Sequence, residues 1–195
     1  WGLNNTGQVF GTHTGIADDD IDAPEAWDRS IGSASTVVAV ADSGVAADHP
    51  DIAPNIWTNP GEVVNGFDDD GNGKVDDVHG WDFVDDGNNP WDYNDHGTHV
   101  AGTIAARGDN GVGVAGVAWR ASIMPVRVLD RNGEGDSDTI GKGIRFAVKH
   151  GAKVINLSLV FSESQTAADI PPIISALRYA HRKRVVVVGA SGNDS

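Results

Sequence analysis

Asn94-Asp95-His96-Gly97-Thr98-His99-Val100-Ala101-Gly102 places a histidine at the mouth of a small-residue, Gly-rich segment. Far upstream, Ala41-Asp42-Ser43-Gly44 ends an apolar run with an aspartate. A buried carboxylate beside an imidazole can fix one tautomer and stabilise the imidazolium formed when the ring takes a proton. Such a pair is two-thirds of a charge-relay site. Each half alone has a plainer reading: Asp42 before Ser43-Gly44 is a good turn aspartate, and His96 and His99 could be polar residues of a helix start. His96 and His99 as zinc ligands lack an obvious third partner.

A second cluster could do metal chemistry. Asp68-Asp69-Asp70-Gly71-Asn72-Gly73-Lys74-Val75-Asp76-Asp77 sets oxygen ligands at alternating positions, with Gly73 at the sharp turn and Lys74 able to offer its carbonyl. His79 stands where an EF-hand closes with glutamate, so Asp76 or Asp77 must close the site. The alternative is a solvated acidic loop; the Asp/Asn/Gly register favours a calcium loop without flanking EF-hand helices. Further acids group at Asp18-Asp19-Asp20 and Asp85-Asp86.

The elements that must hold these residues follow from periodicity. Thr36 to Ala41 reads as a buried strand. Thr98 to Ala106 reads as a helix, Ile123 to Leu129 as a strand, and Thr139 to His150 as a helix stopped by Gly151. Val154 to Leu159 reads as a strand, Ile173 to His181 as a helix after Pro171-Pro172, and Val185 to Val188 as a strand. Ile21 to Asp28 holds a short helix with Pro24 in its first turn. Residues 1–20 read as irregular, and 58–95 as a long loop insertion that something bound should hold. Alternating apolar strands and helices predict an α/β fold, a doubly wound, mostly parallel sheet with helices on both faces. Ligands of such sheets sit beyond the carboxyl ends of the strands. Asp42, Ser158 and Asn193 all fall there.

Length and composition bound the rest. The chain's 195 residues suffice for one buried domain. A formal net charge of −14 argues against nucleic acid, which needs cations for its phosphates, and against an anionic membrane surface. There is no cysteine, hence no disulfide or thiolate zinc site. No apolar run approaches a membrane span.

Val37-Val38-Ala39-Val40-Ala41-Asp42-Ser43-Gly44 with His49-Pro50-Asp51, then His96-Gly97-Thr98-His99-Val100-Ala101-Gly102, resemble the aspartate and histidine signatures of the subtilisin-like serine peptidases. The resemblance extends through Gly111 to Ala118, Val154-Ile155-Asn156-Leu157-Ser158 and Gly192-Asn193, and covers most of the chain from about Ile21. The order Asp, His, then Ser is that family's. The resemblance implies that Asp42 orients His96, that His96 is the general base, and that Asn193 donates its side-chain amide to the oxyanion. It implies polypeptide substrates lying as an added strand between Gly133-Glu134-Gly135 and Ser158-Leu159-Val160, with Ser191 and Gly192 at the pocket floor. Val160 and Phe161 depart from the glycine common after the Ser-Leu pair.

A second calcium site is implied at Asp51 and Asn110, with carbonyls of Gly108, Val112 and Val114. The family's Gly-Thr-Ser-Met-Ala nucleophile segment is absent from these residues, and Gly189-Ala190-Ser191-Gly192-Asn193 is only a near miss for a nucleophile elbow. The expectation is therefore a partial domain that stops before its C-terminal part and is inactive alone. Its partners would be the missing part and an inhibitory prodomain, and its setting secreted or extracellular. The alternative is a non-catalytic calcium- or peptide-binding module on the same scaffold.

Overall fold

The computed structural model describes residues 2–161 and 165–192. Its centre is β3 (Val37–Asp42), flanked on one side by β5 (Ser122–Arg127) and β4 (Trp81–Asp82), and on the other by β6 (Val154–Leu157) and β7 (Val186–Gly189). The order β4-β5-β3-β6-β7 is parallel throughout, as the unbroken apolar strands require. Val37 pairs with Ser122 and Asp42 with Arg127, so β3 and β5 end level with one another.

Alternation along β3 divides the core. Ala39 and Ala41 pack with Met124, Val126 and Ile155 under two helices, α3 (Ser137–Lys149) and α4 (Pro171–Arg182). Val38 and Val40 face the other way, onto Ala101 and Ala105 of α2 (His96–Ala105). Side chains of a strand project to opposite faces in turn, so the sheet is covered on both sides. At Gly141 the α3 backbone runs close to α4; a Cβ there would lie 3.0 Å from the Pro172 carbonyl carbon.

The helix boundaries have local causes. Asp136 caps α3 by accepting from the amides of Asp138 and Thr139. Gly151, at φ +82°, ends it. Two prolines open α4, where their missing N–H groups cost nothing. α2 begins at His96, two residues earlier than the periodicity predicts, and its first turn is capped from outside the helix. Near the start, a two-residue hairpin of β1 (Val9–Phe10) and β2 (His13–Thr14) interrupts the stretch read as irregular, and α1 (Ala23–Trp27) follows it. At the opposite edge of the main sheet, β7 leaves Val186 and Val188 about half exposed. No helix among the described residues is long and apolar enough to cross a membrane.

Candidate active site and acidic loop

Asp42 is the last residue of β3 and wholly buried; His96 is the first residue of α2. His96 Nδ1 donates to Asp42 Oδ1 at 2.8 Å, and the Ser43 amide donates to the same oxygen at 2.7 Å. The other oxygen, Oδ2, is buried without a partner. A carboxylate only accepts, so the proton of this contact sits on Nδ1 and the lone pair on Nε2. Half of the His96 side chain is exposed. The arrangement can therefore take a proton from a group in solvent and stabilise the cation formed.

Two glycines allow the strand end and the helix start to meet. A Cβ on Gly97 would overlap the Gly44 carbonyl oxygen and lie 3.1 Å from Asp42 Cβ. A Cβ on Gly44, at φ +113°, would overlap the Trp91 and Pro90 carbonyls. No larger residue fits at either place, so the Gly residues of both signatures serve the approach of Asp42 to His96.

The strand-end loops gather around this corner. A Cβ on Gly133 would stand 3.7 Å from the Asn94 side-chain nitrogen, and Asn94 Nδ2 donates to the Arg131 carbonyl at 2.9 Å. The Gly133–Gly135 loop thus stands beside the start of α2, with Asp130 accepting from the amides of Asn132 and Glu134. Ser158, Leu159 and Val160 follow β6. Leu159, Val160, Phe161, Ser191 and Gly192 line one groove of about 530 Å³ together with Leu177 and Val187. The segments after β6 and β7 are therefore brought together, with Val160 Cγ1 3.6 Å from where a Gly192 Cβ would stand. Asn193 lies outside the described residues. His99 is exposed, and no third metal-ligating side chain gathers with it and His96 among the described residues.

In the acidic loop the structure separates residues that are neighbours in sequence. Asp68 accepts from the amides of Asn72 and Gly73, and Asp70 from that of Asn72. Asp77 is fully buried and accepts from Asn59 and Asn72 side chains, each at 2.9 Å. Asp76, at φ +56°, turns away to the amides of Asn65 and Gly66, so Asp77 is the acid that closes on the loop.

Two residues escaped the sequence reading. Glu62, buried, accepts from the amides of Asp69, Asp70 and Asp76, and its carboxylate gathers with Asp68 and Asp70. His150, from the end of α3, gathers with Asp70 and Asp77. An acid six residues ahead of an aspartate run is a readable signal for Glu62; nothing local points to His150.

Asn72 Oδ1 is buried here without a hydrogen-bond partner. An orphaned amide oxygen among carboxylates is the donor a hard cation takes, so the residues fit calcium. Lys74 anchors the loop's far side: its ammonium lies 4.1 Å from the Trp81 ring centre and 3.7 Å from Asp86, and burial lowers its pKa.

Other acids are spoken for by cations of the chain itself. Asp82 and Asp85 pair with Arg127, and Asp86 with Lys74, so the Asp85-Asp86 pair is an ion-pair site. Asp51 is buried and accepts from the Asn110 side chain at 2.8 Å and from the Val114 amide at 2.7 Å. The Asn110 amide, and then the Val114 amide, hold the Asp51 carboxyl below the usual carboxylate range.

A covered parallel sheet, an Asp-His pair across its carboxyl edge and a strand-end groove together form an α/β site in the place where such sheets bind ligands. The subtilase family profile matches residues 33–195, and the chain belongs to that family. It is 42% identical over 173 residues to thermitase of Thermoactinomyces vulgaris, covering 89% of this chain and 52% of thermitase. It is 41% identical to the thermophilic serine proteinase of Bacillus sp. strain AK1, over 87% of this chain and 36% of that protein. The major intracellular serine protease of Bacillus subtilis is 38% identical, over 89% and 48%. A crystal structure of a lanthipeptide protease superposes with a TM-score of 0.66 at 28% identity, over 88% of this chain and 43% of that one. The chain thus spans about half the length of thermitase, and less of several other relatives.

Proposed function

We propose that the protein to which this chain belongs is a calcium-stabilised serine endopeptidase, and that these residues supply its base, the orienting acid and much of its substrate cleft. The observation that carries the reading is the 2.8 Å contact between His96 Nδ1 and buried Asp42. It leaves the Nε2 lone pair for a nucleophile's proton. In this reading His96 takes the proton of a serine hydroxyl as the oxygen attacks the scissile carbonyl. Asp42 stabilises the imidazolium, which then protonates the leaving amine, and water releases the acyl group by the same base.

The attacking serine comes from the part of the relatives' length that this chain does not span. Among the described residues no serine hydroxyl hydrogen-bonds His96. The half-exposed Val186 and Val188 of β7 offer that part an apolar edge to pack on. The peptide lies between Gly133-Glu134-Gly135 and Ser158-Leu159-Val160, fixed by main-chain hydrogen bonds, with its P1 side chain toward Ser191 and Gly192. Asn193 donates to the oxyanion. An inhibitory prodomain and secretion belong to the same reading.

Calcium would be held by Asp68, Asp70, Asn72, the Lys74 carbonyl and Asp77, with Glu62 shaping the loop. When bound it would neutralise the crowded carboxylates. Asp51 and Asn110 form a second candidate site.

A fluorophosphonate probe tests the proposal. The full-length protein should be labelled, its His96→Ala variant should not, and this chain alone should stay unlabelled. Labelling of this chain alone refutes the placement of the nucleophile. Calcium-dependent peptide binding without labelling of the full-length protein would favour a non-catalytic module.

A further inference from the structure

Asp92 lies four residues before His96, on irregular backbone, and is 95% buried given its 5% relative exposure. One carboxylate there takes five donors. Its Oδ1 accepts from Ser43 Oγ at 2.8 Å and from the amides of Asn94 and Asp95, both at 2.9 Å. Its Oδ2 accepts from the Thr98 amide at 2.8 Å and from Thr98 Oγ1 at 2.7 Å. The two hydroxyls then pass the connection on. Ser43 Oγ accepts from the Gly97 amide at 3.0 Å, and Thr98 Oγ1 from the Ala46 amide at 2.9 Å.

These bonds have a common geometry. Ser43 and Ala46 belong to the turn that follows Asp42; Asn94, Asp95, Gly97 and Thr98 bracket His96. Asp95 occupies the N-cap position at φ +74° and its side chain caps nothing. The capping work falls to Asp92, which satisfies orphan amides of the first turn while also gripping the strand-end turn. Burial raises the pKa of Asp92, but the hydrogen bonds from Thr98, Asn94 and Ser43 outweigh it and hold the carboxyl below the usual range. It is therefore ionised at neutral pH, which strengthens each of the five bonds.

The Asp42–His96 contact needs such a grip. The imidazole is half exposed and meets its carboxylate through one hydrogen bond, so water can compete for the ring. Misplacing a reacting group by about 1 Å costs on the order of a hundredfold in rate. We propose that Asp92, acting through Ser43 and Thr98, is a positioning residue that fixes His96 against Asp42.

The proposal rests on His96 being the base, but its test reads the pair directly and needs no turnover. The measurement is the proton resonance of His96 Nδ1–H in the full chain, with its exchange rate, alongside thermal melting. The unaltered chain should show a low-field, slowly exchanging signal. In Asp92→Asn, which places an NH₂ group among donors, exchange should quicken by about tenfold or more, the worth of one hydrogen bond to a charged group. Ser43→Ala keeps the Asp92 charge and four of its five donors, so it should fold even where Asp92→Asn does not. It should show the same quickening, and Ser43→Thr, which retains the hydroxyl, should restore the slow signal.

Variants that melt lower yet keep the slow signal would show that Asp92 only stabilises the fold, and would overturn the proposal. Absence of the signal from the unaltered chain would instead overturn the pairing, and with it the reading of the active site. In the complete enzyme, Ser43→Ala should lower kcat on the order of a hundredfold with KM within about twofold.

Discussion

The corner that joins β3 to α2 and the acidic loop of residues 59–80 are both rich in carboxylates, and they manage that charge in opposite ways. At the corner, Asp42 and Asp92 are buried and saturated by donors from secondary structure on both sides, apart from one oxygen. In the loop, Glu62, Asp68, Asp70 and Asp77 are also bonded to amides, yet they remain packed against each other with only Asn and His side chains between. Like charges at such distances repel, and loop backbone has little apolar burial to offset it. A site on a rigid strand-helix junction is preorganised by the core, whereas a site on irregular backbone must be completed by its ligand.

That contrast can be broken most sharply by charge removal. Asp42→Asn in the complete enzyme should leave the fold intact and cut kcat on the order of 10⁴-fold, because the imidazole loses its tautomer and its counter-charge. Asp68→Asn should leave turnover per folded molecule unchanged and weaken the response to calcium. Comparable losses of turnover in both variants would erase the distinction.

Calcium should act on the loop sites and leave the corner unchanged. At a hundredfold excess over its Kd it should add about 2.7 kcal/mol of stability, read as a rise in Tm. A chelator should open residues 58–95 to proteolysis first, with α2 protected longer. Unchanged cleavage in the loop after chelation would count against the metal site.

Gly97→Ala probes the corner from the packing side. The added methyl meets the Gly44 carbonyl and Asp42, so a loss of about 1–3 kcal/mol is expected by denaturant unfolding, with calcium affinity unaltered.

Acid is the mildest test. The carboxyls of Asp51, held low by Asn110, and Asp136, held low by the Thr139 amide and hydroxyl, have folded pKa values below the unfolded one. Their contribution is complete above about pH 4 and is lost as pH falls through the folded values. Thermal melts should therefore be flat with respect to these groups from neutrality to about pH 4, then decline. A decline between pH 7 and 5 with the loop sites empty would point to other groups.

Much of the fold was legible because it obeys short-range rules. The apolar run of β3, the Gly151 stop of α3 and the Pro-Pro start of α4 each carry their cause in a few neighbouring residues. The start of α2 was misplaced by two residues because its caps, Asp92 and Ser43, come from outside the helix. The choice between Asp76 and Asp77 stayed open in sequence, since adjacent residues differ only in which way the backbone turns them. A positive φ at Asp76 decided it. The grouped acids Asp85 and Asp86 each pair with a cation of the chain, Arg127 from β5 and Lys74 from the loop itself.

By itself the sequence determined the chemistry on offer: an aspartate after a buried strand, a histidine opening a helix, and an aspartate-glycine loop rich in oxygen ligands. Periodicity and local backbone preference act within a few residues, so such features survive reading in one dimension. Only the tertiary structure decided which further groups meet. It brought His150 to Asp77 and made Asp92 the joint between strand and helix. Those outcomes depend on where the two faces of one sheet place their helices, which lies beyond the reach of alternation along a single element.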